Sequence, residues 1–139
     1  MLFLSLLLNI VQAESIPTPA IDVVFWCRTS TGDKNIALFK QGNNFIYQYG
    51  GDMSKPELQL LRSNTEVVKE PWNGVGMQMW NNITLKNGDY AYTVRAAYGR
   101  GEDMTITAGV DITKNDEYVT SVQCKTDSEF IDRLSSFVE

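Results

Sequence analysis

Six carboxylates in the β-patterned part of this chain, Asp22, Asp52, Glu57, Glu102, Asp103 and Asp111, are the side chains with the chemistry to act as acid and base. A glycosidase-type pair needs two of them facing each other across a cleft, about 5 to 9.5 Å apart, with one pKa raised by apolar surroundings. None of the six has a neighbourhood that forecasts such burial, and Glu102-Asp103 lies in a glycine loop that reads as a solvated turn. The chain has no histidine. Ser-His-Asp and Cys-His constellations are thereby excluded, because no imidazole is present to serve as the base. No catalytic residue is assigned, and the expectation is a protein that is not an enzyme.

Metal and cofactor chemistry is equally thin. Asp111, Asn115, Asp116 and Glu117 gather oxygens near one hairpin end, but they lack the alternate ligand positions and central glycine of an EF-hand loop. Two thiols without histidine do not make a zinc site. Gly74-Val75-Gly76 lacks the third glycine and the βαβ setting of a dinucleotide fingerprint. No metal and no cofactor are expected. Asn82-Ile83-Thr84 fits the N-glycosylation pattern, which matters only in a eukaryotic secretory pathway.

Recognition chemistry is better represented. The stretch Pro71-Trp72-Asn73-Gly74-Val75-Gly76-Met77-Gln78-Met79-Trp80 sets two tryptophans, two methionines and two glycines in ten positions. In strand phase Val75, Met77, Met79 and Ile83 fall on one side and read as core, filled by the pliable methionines. Trp72, held between Pro71 and Asn73-Gly74, reads as a loop aromatic able to anchor a partner at low entropic cost. The loop carrying Arg100, Glu102 and Asp103 is the second candidate contact. Trp72, Asn73, Arg100, Glu102 and Asp103 are therefore the expected partner-binding residues. The tyrosines Tyr47 and Tyr49, and Tyr90, Tyr92 and Tyr98, line single faces of two strands and read as structural cross-strand ladders.

These residues must be positioned by a β framework. Apolar residues alternate with polar ones in short runs separated by turn residues, the pattern of an antiparallel β protein. Val23, Phe25 and Cys27 share one side of the first strand. Ile36–Lys40 and Phe45–Tyr49 flank Gln41-Gly42-Asn43-Asn44 as a hairpin, and strands from Gly76 to Leu85 and from Tyr90 to Tyr98 flank Asn87-Gly88 as another. Leu58 and Leu60 share a side of a short strand, and residues 62 to 71 are polar and aperiodic, a loop. Met104, Ile106, Ala108, Val110 and Ile112 alternate with polar residues, followed by a strand from Tyr118 to Cys124. Thr126-Asp127-Ser128-Glu129 has the form of a capping box, and Phe130, Leu134, Phe137 and Val138 follow at helical spacing. The expected fold is all-β, an antiparallel sandwich or open barrel of about eight strands, with a short C-terminal α-helix over 127–138.

The chain opens with an apolar run from Leu2 to Val11 and Val11-Gln12-Ala13, which suits signal peptidase. Residues 1–13 are expected to be a signal peptide, leaving 14–139 as a single β-rich domain in the periplasm or outside the cell. In that setting Cys27 and Cys124 read as a disulfide. Lys and Arg number 12 against 17 Asp and Glu, a net charge of −5. That balance, with no basic run, argues against nucleic acid and anionic lipid and favours a cationic partner.

The segment from Cys27 to Gly50, with its Thr31-Gly32-Asp33-Lys34 turn, its Ile36-Ala37-Leu38 strand and the partner Phe45-Ile46-Tyr47-Gln48-Tyr49-Gly50, resembles small periplasmic β proteins that inhibit lysozyme. The pairing of a late with an early cysteine is similar to the membrane-bound inhibitors of C-type lysozyme. Those proteins carry a Ser-Gly-x-Arg-Tyr type loop that this chain lacks, so no residue role is transferred. The expected role is a binding protein, an inhibitor or immunity protein acting on a cell-wall-degrading enzyme or secreted toxin, its partner a protein, a basic hydrolase or toxin. A carbohydrate-binding module that stacks sugars on Trp72, Trp80 and the tyrosines is the alternative, as is a structural or adhesive subunit with a long open edge strand.

Overall fold

A computed structural model describes residues 18–102 and 104–139. The expected signal peptide and Asp103 lie outside the described residues. Among the described residues ten strands follow one another: β1 (Ile21–Arg28), β2 (Asn35–Gln41), β3 (Asn44–Gly50), β4 (Leu58–Ser63), β5 (Val68–Glu70), β6 (Gln78–Asn87), β7 (Tyr90–Gly99), β8 (Ile106–Lys114), β9 (Glu117–Gln123) and β10 (Ile131–Asp132). They form two antiparallel sheets of five, one in the order β10-β1-β2-β3-β4 and the other β5-β6-β7-β8-β9. We call these sheet I and sheet II. The all-β sandwich expected from the alternation is what the chain forms.

Both anticipated hairpins close on two residues. Gln41 pairs with Asn44 across Gly42-Asn43, and Asn87 pairs with Tyr90 across Gly88-Asp89. The inner faces meet in one core that includes Phe25, Ile36, Leu38 and Phe45 from sheet I and Ile83, Leu85, Val94 and Val110 from sheet II, all fully buried. Tyr47 and Tyr92 face each other between the sheets with ring centroids 5.7 Å apart. Tyr47 is core, and Tyr92 is half-buried against it.

At one corner the two sheets are stitched together. Thr29, just beyond β1, bridges to Cys124, just beyond β9. Ser30 N–H donates to the Gln123 carbonyl and Lys125 N–H to the Arg28 carbonyl, both at 2.8 Å. The Cys27–Cys124 disulfide crosses the same point. Such a bond accords with an oxidising compartment.

Four sequence expectations need correction. The count of strands rises from about eight to ten, because β5 and β10 are too short to leave an alternation signal; β5 and the end of β4 occupy part of the segment read as a loop. In β1 the register shifts between Val23 and Phe25, so Val24 is fully buried beside Phe25 rather than on the opposite side. The third correction is the C-terminal helix over 127–138. Its residues form β10 and a single 3₁₀ turn, Leu134–Ser136. Glu129 has φ 49°, outside the helical region, and Ile131 and Asp132 spend their backbone groups on Trp26 and Phe25. The apolar residues still reach the core: Phe130 packs edge-on against Phe25 at 5.9 Å and Leu134 is fully buried.

The fourth correction concerns the stretch from Val75 to Met79. The strand begins at Gln78, two residues later than the alternation implied, since Gly74 and Gly76 adopt φ 85° and 100°, values that glycine alone tolerates without strain. Val75 and Met77 are 71% and 75% exposed and Met79 is 41% exposed. They are surface, not core.

Candidate recognition site at one end of sheet II

Loop 71–77 is held by its own side chains. Asn81, in β6, accepts the Trp72 backbone N–H on Oδ1 at 3.2 Å. Asn73 Oδ1 accepts the Val75 N–H at 3.0 Å, an Asx turn, and the Trp72 indole Nε1–H donates to the Val75 carbonyl at 3.0 Å. Arg100, just beyond β7, completes the arrangement. Its backbone N–H donates to the Met77 carbonyl and its Nη1 to the Gly76 carbonyl, both at 2.9 Å. Its guanidinium stacks over the Trp72 ring at 5.1 Å. A loop tied at this many points presents its side chains in a fixed arrangement, which lowers the ordering cost of binding.

Apolar groups surround this frame. Gly99 N–H donates to the Thr105 carbonyl at 2.9 Å, which carries the β7–β8 ladder past its last strand residue and sets Met104 beyond Arg100 in the row that begins at Met77. Met104 is 75% exposed. Two clefts flank the loop. One of about 470 Å³ is lined by Val75, Met77, Gln78, Trp80 and Arg100, and one of about 550 Å³ by Trp72, Met79, Tyr98, Asp132 and Val138. In the second, the Tyr98 hydroxyl donates to Asp132 Oδ2 at 2.6 Å. Burial, then that hydrogen bond and the Asp132 charge, hold the phenol well above its ordinary pKa. It acts as a neutral strut between sheet II and β10.

Of the five expected contact residues, the structure brings Trp72, Asn73 and Arg100 together. Glu102 stands exposed in the turn beyond, and Asp103 is outside the described residues. Sequence reasoning missed Val75, Met77, Met79 and Met104, because strand phase assigned them to a buried face. The usable signal was the pair Gly74 and Gly76, which interrupts a strand before it starts.

Carboxylates elsewhere serve structure. Asp111 accepts from Arg95 Nε at 2.8 Å and from Ser121 Oγ at 2.6 Å. Asp52 is held below the usual carboxylate range by the Ser54 hydroxyl and backbone N–H. Glu57 pairs with Lys34. Among the described residues no three His, Cys, Asp or Glu side chains cluster as a metal site would require. No protein-family model, curated protein or solved structure matches the chain.

Proposed function

We propose that this chain is an exported binding protein that docks a protein partner through the end of sheet II, as an inhibitor or immunity protein against a cell-wall-degrading enzyme or secreted toxin. The observation that carries the reading is the exposure of Val75, Met77 and Met104 at 71–75% around the anchored Trp72–Arg100 pair. Isolated exposed apolar side chains are ordinary; several together beside an aromatic and an arginine make the composition of an interface centre. Methionine suits this role because its flexible thioether adapts to the opposing surface. The net charge of −5 steers a basic partner toward encounter.

The carbohydrate alternative is less well served, since Arg100 covers one face of the Trp72 ring and the indole N–H is spent on the Val75 carbonyl. The test is titration of the oxidised protein into a panel of basic secreted peptidoglycan hydrolases, C-type lysozyme among them, and pore-forming or nuclease toxins. Binding is followed by calorimetry and activity by substrate turnover. One-to-one inhibition that weakens at least about 30-fold in Trp72→Ala and Met77→Asp is expected, the size of a hot-spot loss. Absence of inhibition across the panel, with retention on insoluble peptidoglycan or chitin, overturns the inhibitor reading in favour of glycan binding.

A further inference from the structure

The outward face of sheet I is apolar where a solvated face alternates to polar. By register Val23, Phe39, Ile46 and Leu61 stand in one row across β1, β2, β3 and β4. Trp26 and Ile131, paired with each other across β1 and β10, extend the patch along the next row. Leu61 is 55% and Ile131 41% exposed. Val23, Trp26, Phe39 and Ile46 are half-buried, and the core of the sandwich lies on the other side of the sheet.

We infer that this face is a self-association surface, packing sheet I of one copy on sheet I of a second. Charge selects the occupant. Among the residues that share this side by register there is no carboxylate, although the chain carries 17. Among the described residues that pair on this side the one charged side chain is Arg28, and it is already engaged: Nη2 donates to the Gly32 carbonyl at 2.6 Å, and Nε lies 3.9 Å from Glu129 at the rim. Two copies of net charge −5 therefore meet here without like charges opposed. A basic partner would meet here only Glu129, at the rim beside Arg28, Trp26 and Ile131.

The polar groups on the face are prepared for cover. Gln48 Nε2 donates to Gln59 Oε1 at 2.7 Å, Gln41 Nε2 to the Pro19 carbonyl at 3.2 Å, and Asn35 Nδ2 lies 3.4 Å from the Gly51 carbonyl. Amides with partners of their own lose less when water is removed. The row is also self-complementary. A two-fold axis along the strands between β2 and β3 sets Val23 against Leu61 of the second copy and Phe39 against Ile46, apolar on apolar throughout. Four strands about 4.8 Å apart and about six residues long make a footprint on the order of 400 Å² per copy, half the usual size, which implies weak dimerisation.

Sedimentation of the full, oxidised chain from about 10 μM to about 1 mM tests this, a range in which a weak dimer forms and dissociates. A monomer–dimer equilibrium is expected. Leu61→Glu and Gln59→Glu each place a carboxylate on an exposed position of the row or its neighbour, and each should weaken dimerisation at least ~10-fold with an unchanged thermal melt. Trp72→Ala should leave it intact, which separates this surface from the recognition site. A wild-type chain still monomeric at the highest concentration assigns the face to some other partner and overturns the inference. So does self-association that persists in both glutamate variants. Should one glutamate variant misfold, the other decides.

Discussion

The guanidinium of Arg100 lies 5.1 Å from the centre of the Trp72 ring, and the backbone N–H of the same arginine holds the Met77 carbonyl at 2.9 Å. One residue just beyond β7 thus ties down both ends of loop 71–77. The stack is worth about 0.5–1 kcal/mol at an exposed site and the Nη1 bond to Gly76 about another 1 kcal/mol. Arg100→Ala should therefore speed hydrogen exchange of the Trp72 indole N–H, which is bonded to the Val75 carbonyl, by roughly 10-fold, with little change in global stability. NMR exchange measurements check this. An unchanged indole exchange rate would mean the loop holds itself without Arg100.

The disulfide and the Thr29–Cys124 bridge together close the corner between the sheets. The bond spans a sequence separation of 97, and a loop of about 100 residues is worth roughly 4.7 kcal/mol in the chain-entropy model. Replacing both cysteines with serine should lower the unfolding free energy by about 2–5 kcal/mol in guanidinium titrations. Reductant should bring the wild-type protein to the same midpoint. Coincident curves for oxidised and reduced protein would refute the staple.

Much of the framework was legible because both hairpins carry their own local signal: a Gly-Asn or Asn-Gly turn between strictly alternating runs needs no knowledge of the rest of the chain. The disulfide was legible for a similar reason, since Cys27 and Cys124 each stand in phase with apolar neighbours. What escaped depends on distant contacts. Strand phase told correctly that Met79 and Ile83 share a side, yet Ile83 is fully buried and Met79 is not, because the sandwich opens at the end of sheet II. Phe130 and Leu134 have helical spacing but are recruited individually, one by Phe25 and one by the core, after Ile131 and Asp132 bond to β1. At the candidate site Trp72 and Arg100 were each suspected alone. Their stacking joins residues 28 positions apart, and no local pattern encodes it.

Alkaline stability should depend on Tyr47. Burial, then the neighbouring Tyr92 and Tyr49, raise its pKa above the ordinary 10.0, so the fold favours the neutral phenol. That contribution is complete below pH 10.0 and is lost as pH rises through and beyond it toward the folded value, with a slope of about 1.4 kcal/mol per pH unit. Tyr98 shares the direction. Thermal melts from pH 8 upward should show Tyr47→Phe declining less steeply than wild type above pH 10. Parallel declines would remove Tyr47 as the cause.

The C-terminal segment should contribute to the core as fully as any strand. Leu134 is completely buried although it sits in a turn of three residues. Leu134→Ala should cost about 2–5 kcal/mol, the range for a buried leucine whose cavity cannot fully collapse. A loss under about 1 kcal/mol in urea titration, within the range of surface substitutions and mild repacking, would show that residues 130–138 dock only loosely.

Gly109, in the middle of β8, is needed for a steric reason rather than a conformational one. A Cβ built there would lie 2.1 Å from the Val122 carbonyl oxygen and 3.2 Å from the Gln123 Cα. Both are backbone atoms of β9, so no side chain can rotate away, and accommodation requires β8 and β9 to part next to the disulfide. Gly109→Ala should therefore destabilise by about 3 kcal/mol, at the upper end of overpacking. It should also speed amide exchange in β9 well before global unfolding. Thr107→Ala, an exposed position two residues earlier on the same side, should change stability by no more than about 0.5 kcal/mol. If the two alanine variants melt alike, β9 does not approach β8 as closely as its pairing of Gly109 with Gln123 requires.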